Sequence, residues 1–200
     1  MGKGLVTAAK IGTAAVAAAA AGITALTTAA VKNYAEYEQL VGGVETLFKS
    51  SSDTVMKYAE NAYKTAGMSA NEYMATVTGF SAAMIQSLGG DTAKAAELSN
   101  MALTDMSDNA NKMGSDLETL KTAYAGFSKQ NYTMLDNLKL GYGGTKTEMG
   151  RLIKDAAKLD KSIKANDMAF ANIVKAINVV QTEMGITVTT AKEAGATIAG

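Results

Sequence analysis

From Tyr34 onward, apolar residues recur at helical spacing. Phe170, Ile173, Val174 and Ile177 fall on one face of a helix, and Val180 and Met184 extend it. Leu98, Met101, Ala102, Met106, Ala110 and Met113 make a second stripe. Methionine stripes can serve as adaptable binding surfaces, but periodic apolar positions of this kind predict core. The polar positions between the stripes repeat a punctuation. A helix tends to stop with glycine just past its end and to start at Ser, Thr or Asp. A glutamate three residues after the start completes a capping box. Gly67 precedes Ser69 to Glu72 (SANE), and Gly114 precedes Ser115 to Glu118 (SDLE). Gly141 precedes Thr145 to Glu148 (TKTE), and Gly185 precedes Thr190 to Glu193 (TAKE). Gly89-Gly90-Asp91 is the same stop and start without the glutamate. The pattern predicts an all-α chain of consecutive helices, with N-caps at Ser69, Asp91, Ser115, Thr145 and Thr190. A further break or bend is expected at Gly42-Gly43.

The first 33 residues are different and are expected to form a separate Ala-rich hydrophobic helix ahead of a helical domain spanning 34–200. Leu5 to Val31 holds twelve alanines and one charge, Lys10. The 21 uncharged residues from Ile11 to Val31 would span roughly 31 Å as a helix, about one bilayer core. Ile11, Val16, Ile23, Leu26 and Val31 are the large apolar residues, each worth about −0.3 to −0.6 kcal/mol at a bilayer centre. Four threonines and two glycines oppose them, so insertion is near balance. Leu5, Val16, Ile23, Leu26 and Val31 share one side of the helix, which suits close helix–helix packing. Packing within a helical assembly and conditional membrane insertion both remain open, and a constitutive span is the weakest reading. Lys3 gives a positive start, as in a signal peptide, but no convincing cleavage site follows.

Composition narrows the chemistry. Proline is absent, so no ring clash interrupts a helix. Aromatic residues make up 6% of the chain, too few for a typical β-sandwich or barrel. Formal net charge is zero, with no basic excess pointing to nucleic acid. No Cys, His or Trp is present. This removes thiol chemistry, cysteine zinc sites and the commonest general base and metal ligand. Three patterns invite a site and fail. Gly141 to Met149 (GYGGTKTEM) resembles the end of a phosphate-binding loop, but counting back from Lys146-Thr147 puts Thr145 and Leu140 where glycines are required. A helix stop, a turn and a new N-cap explain it better. Asp105, Asp108, Asn109 and Asn111 do not fit a calcium loop, because Ala110 falls at a ligand position; a solvated helix face is expected there. Asp116 and Glu118 are two residues apart and point away from each other on a helix, and a capping box accounts for Glu118. The expectation is a protein that is not an enzyme and needs no cofactor or metal.

Several stretches together resemble phage tail tape measure proteins from long-tailed phages and prophages of Gram-positive hosts. They are YAEYEQLVGGVETLFK (Tyr34 to Lys49), SANEYMATVTGFSAAMIQSLGGD (Ser69 to Asp91), Ala102 to Met149, and VVQTEMGITVTTAKEA (Val179 to Ala194). Tail-like bacteriocins use related proteins. The resemblance implies a structural protein inside the tail tube, whose length sets that of the tube and which helps carry DNA across the host membrane on ejection. It also implies several bundled copies, contacts with tail tube and tail tip proteins, and assembly chaperones. DNA would pass nearby without sequence-specific binding. Location in the virion, and at the host cell membrane during ejection, follows from the same resemblance. Fully helical, 200 residues reach roughly 300 Å, short for a long tail, so a segment of a longer chain is expected. The glycine–cap junctions favour several short helices over one rod. The alternative from another class is a helical membrane-perturbing or pore-forming secreted protein.

Overall fold

A computed structural model describes residues 34–192. The chain divides into two compact units, Met1–Gln39 and Leu40–Gly200. Of the first, residues 34–39 are described and are helical.

The second unit contains α1 (residues 40–48), α2 (Ser52–Thr65), α3 (Ala70–Ser87), α4 (Thr92–Met113), α5 (Leu117–Phe127), α6 (Lys146–Leu159) and α7 (Phe170–Glu183). Short 3-10 turns lie at Lys49–Ser51 and Leu135–Leu138. Among the described residues there is no strand. The fold is all-α.

The junction glycines lie between helices because of their backbone geometry. Gly67, Gly89, Gly90, Gly114, Gly141 and Gly185 all have positive φ, where a Cβ would be strained. Ser69, Asp91 and Thr145 each accept a hydrogen bond from the backbone N–H three residues on, at 3.2, 2.9 and 3.2 Å.

Three local expectations are corrected. The helix runs unbroken through Gly42-Gly43. A Cβ on Gly43 would lie 3.8 Å from the Thr78 methyl of α3, so this glycine marks close helix packing. The break comes at Lys49, in left-handed conformation at φ 51. The cap of α5 is Asp116, whose carboxylate accepts from the Thr119 N–H at 2.8 Å. Ser115 instead donates its hydroxyl to the Asn137 carbonyl, which docks the later connection beside the cap. Gly141 does not end a helix, because α5 has already stopped at Phe127, with Gln130 at φ 61. Beyond these, α6 and α7 are separated by a loop that no glycine announces. Asn172 holds it together, donating to the Lys164 and Asp167 carbonyls and accepting from the Lys164 N–H.

Packing centres on α4, which meets α2, α3, α5 and α7, while α6 packs on α7. Leu98, Ala102, Leu103 and Met106 are buried in this centre with Phe80, Leu120 and Ile173. Phe80 and Phe170 meet edge to face at 5.7 Å, joining α3 to α7 at a favourable aromatic geometry. Met184, at the end of the α7 stripe, is 44% exposed and outside the core.

Candidate functional site

The most unusual chemistry in the unit is the second half of α4. Asp105, Ser107, Asp108 and Asn109 are all buried, at 1–5% exposure. The expectation of a solvated face is therefore wrong for Asp105, Asp108 and Asn109, while Asn111 is exposed. Asp105 and Asn109 lie on the same arc as Leu98 and Ala102, so helical periodicity carries them into the core. Asp108 and Ser107 face other elements that close over the rest of the helix.

Each of these side chains is assigned to a distant partner. Asn109 donates to the Leu138 carbonyl and to Gln181 Oε1, both at 2.9 Å. Ser107 donates to the Ala66 carbonyl at 2.7 Å, in the α2–α3 junction, and its oxygen lies 3.2 Å from the Thr190 hydroxyl. Asp108 accepts from the Val188 N–H at 2.5 Å and the Thr190 N–H at 2.8 Å, with the Thr189 hydroxyl at 3.2 Å. The chain is helical from residue 189. The capping carboxylate of that turn thus comes from another helix. Thr190 is not its own cap: it sits inside the turn, buried, and its hydroxyl accepts from Asn111 at 2.8 Å. An aspartate supplied across the fold does the work expected of the local threonine, because the first N–H groups of a helical turn need an acceptor.

Asp105 is different. Its Oδ1 accepts from Asn178 of α7 at 2.9 Å, but Oδ2 has no hydrogen-bond partner, and neither does the buried Tyr124 hydroxyl. Burial pushes the Asp105 carboxyl up to about 8; the Asn178 bond opposes this and the nearby Asp108 adds to it. Near neutral pH the group is therefore mostly the neutral acid. Burial, with the field of Asp105, also raises the Tyr124 phenol.

A second polar cluster surrounds GYGG. Arg151 donates to the Gly141 carbonyl at 2.8 Å and pairs with Glu148 at 2.6 Å. Its guanidinium lies 4.3 Å from the centre of the Tyr142 ring, within cation–π range. Tyr142 donates to Asp155 at 3.2 Å. Glu148 does not close a box on Thr145 but accepts from the Gly143 N–H at 3.2 Å. Its carboxyl is held below the usual range, first by the Arg151 bond and then by the Gly143 N–H. Gly144 passes so close to residue 133 that a Cβ would sit 2.2 Å from the Thr133 carbonyl oxygen. The glycines here permit a clamped strap, entered from a 3-10 turn and not from a strand. Lys146 is simply the exposed first residue of α6.

Glu72 and Glu118, expected to close capping boxes, converge on Lys121 at 2.6 and 2.7 Å. Burial lowers the Lys121 ammonium, but the bonds from Glu118 and Glu72 outweigh it and leave it raised. The three line a groove of about 420 Å³ between α3 and α5, with Ala75, Gly79 and Ala125.

The described residues hold no group of three or more His, Cys, Asp or Glu side chains able to bind a metal. No described helix is long and apolar enough to cross a membrane. Ile11, Val16, Ile23, Leu26 and Val31 lie outside the described residues. No family model matches the chain, and no curated protein or solved structure is significantly similar to it.

Proposed function

We propose that the chain is a segment of a phage tail tape measure protein, acting in tube-length control and in genome delivery. The observation that carries this reading is the ordered resemblance of Tyr34–Lys49, Ser69–Asp91, Ala102–Met149 and Val179–Ala194 to that family. A protein that works by length and packing needs no reaction centre. Its partners would be further copies of itself, tube and tip proteins, and tail chaperones.

The longest described helix, α4, has 22 residues and covers only about 33 Å. A folded unit of this kind contributes far less length than its residue count. In this reading it is a compact station near one end of the ruler, while other parts of a longer chain form the rod. In-frame removal of residues 40–192 tests the point by electron microscopy of tails. A rod of that many residues would shorten the tube by about 230 Å; a compact station changes it by much less. Absence of the chain from purified tailed particles would sink the reading and favour a secreted membrane-active protein.

The delivery role rests on Ile11 to Val31. Ala19→Asp adds about 2.5–3.5 kcal/mol against insertion at a bilayer centre. Tails of normal length with lost DNA delivery are expected. Unchanged delivery would reduce the segment to a packing helix.

A further inference from the structure

The inner surface of the segment that follows α7 is captured by α4, yet its backbone is strained. Val188 has φ 67, a conformation that a β-branched residue rarely adopts. Its side chain is 53% exposed, so no core packing of its own holds it there. What holds it is its own N–H on Asp108, reinforced by the Thr190 N–H on the same carboxylate; the Thr189 hydroxyl reaches the Ile186 carbonyl at 2.9 Å. On either side the segment is anchored by Ile186, 1% exposed, and by Thr190. The Thr190 methyl lies 3.6 Å from where a Gly67 Cβ would be. The Thr190 hydroxyl meets Ser107, which itself binds the Ala66 carbonyl. The segment therefore closes over the α2–α3 junction and the end of α4 together.

We infer that residues 186–192 form a strained latch, with Asp108 as its catch, that opens as a local unit while the α2–α7 bundle stays folded. Strain of this kind persists only where its surroundings over-determine it. Here the over-determination comes from the Asp108 carboxylate together with the buried Ile186 and the Thr190 hydroxyl. Opening would uncover Ile186, Ser107 and Asp108 and free the α2–α3 junction without disturbing the Leu103–Met106–Ile173 core. The inference concerns the fold itself and stands whether or not the tape measure reading holds.

Native-state hydrogen exchange on the full chain tests it. The Val188 and Thr190 amides should exchange through a local opening, at least tenfold faster than the slowest amides in the middle of α4. Asp108→Asn, which keeps the shape but replaces one of the two accepting oxygens with an N–H donor, should speed exchange at Val188 and Thr190 at least tenfold, while amides that exchange only by global unfolding speed up by no more than the same factor and stay slower than both. Val188→Gly relieves the left-handed strain and should slow exchange at Thr190 by roughly tenfold, the strain relief being partly offset by the freer glycine chain. Should Asp108→Asn fail to fold, Val188→Gly still decides. Exchange of the Val188 and Thr190 amides only with global unfolding, or no slowing at Thr190 in Val188→Gly, overturns the latch.

Discussion

The seam along α4 and the strap around GYGG are built from the same materials: carboxylates, amides, hydroxyls and a few backbone groups. They differ in where their bonds go. The seam joins residues 29 to 83 positions apart, as in Asn109–Leu138 and Ser107–Thr190. The strap joins residues three to thirteen apart, as in Arg151–Glu148 and Tyr142–Asp155. The seam is buried, and Arg151, Glu148 and Asp155 of the strap are partly exposed. In water a lost polar contact is largely replaced by solvent; in a core the orphaned group keeps its full desolvation cost. The seam therefore carries stability and topology, and the strap shapes one local turn.

Breaking the seam should have the largest effect. Asp108→Ala orphans the Val188 and Thr190 N–H groups and should cost about 2–5 kcal/mol, read as a lower denaturation midpoint in urea. A loss under about 1 kcal/mol would mean that the seam holds nothing. Next comes the one point where the strap is sterically tight. Gly144→Ala drives a methyl into the Thr133 carbonyl and should cost about 1–3 kcal/mol. A neutral result would mean that the strap shifts freely.

Asp105 sharpens the comparison through pH. Its folded pKa of about 8 lies above the ordinary 3.8. The folded state thus holds a proton that the unfolded state releases. This contribution is fully present below about pH 4 and is lost as pH rises through about 8. Asp105→Asn keeps an acceptor for Asn178 without the ionisation. It should raise stability at pH 8 by roughly 1–3 kcal/mol and flatten the melting temperature between pH 5 and 9. An unchanged slope would show that another group sets it. The smallest effect is expected for Arg151→Ala, which removes exposed pairs and one ring contact. It should leave the urea midpoint nearly unchanged, with a smaller shift still at high salt. A larger, salt-insensitive loss would show that the strap is more than a surface device.

The junctions at Gly67, Gly89-Gly90, Gly114 and Gly185 were legible because positive φ is a local requirement, met by the glycine at the spot; the local caps were legible at Ser69 and Asp91, but not after Gly114 and Gly185. The α7 stripe as far as Val180, and Leu98, Ala102 and Met106 of the α4 stripe, were legible because burial of an arc follows from spacing; Met101, Ala110 and Met113, expected in the core, are only partly buried. The same spacing also marks Asp105 and Asn109 as inward-facing, a signal obscured by treating polar residues as solvated by default. Gly42-Gly43 failed as a break because a glycine inside a helix reads identically whether it ends the helix or admits a neighbour. Only the neighbour, Thr78, distinguishes the two.

What the sequence by itself determined is the class of structure and most of its punctuation. Helix propensity, apolar period and capping residues act within about one turn, and they agree along most of the chain. What the tertiary structure decided is who satisfies whom. Asp108 caps a turn eighty residues away, Glu72 leaves its own helix start for Lys121, and Ser115 yields its cap to Asp116. A backbone N–H is indifferent to where its acceptor lies in the chain. The nearest competent oxygen takes it, and packing alone determines which oxygen that is.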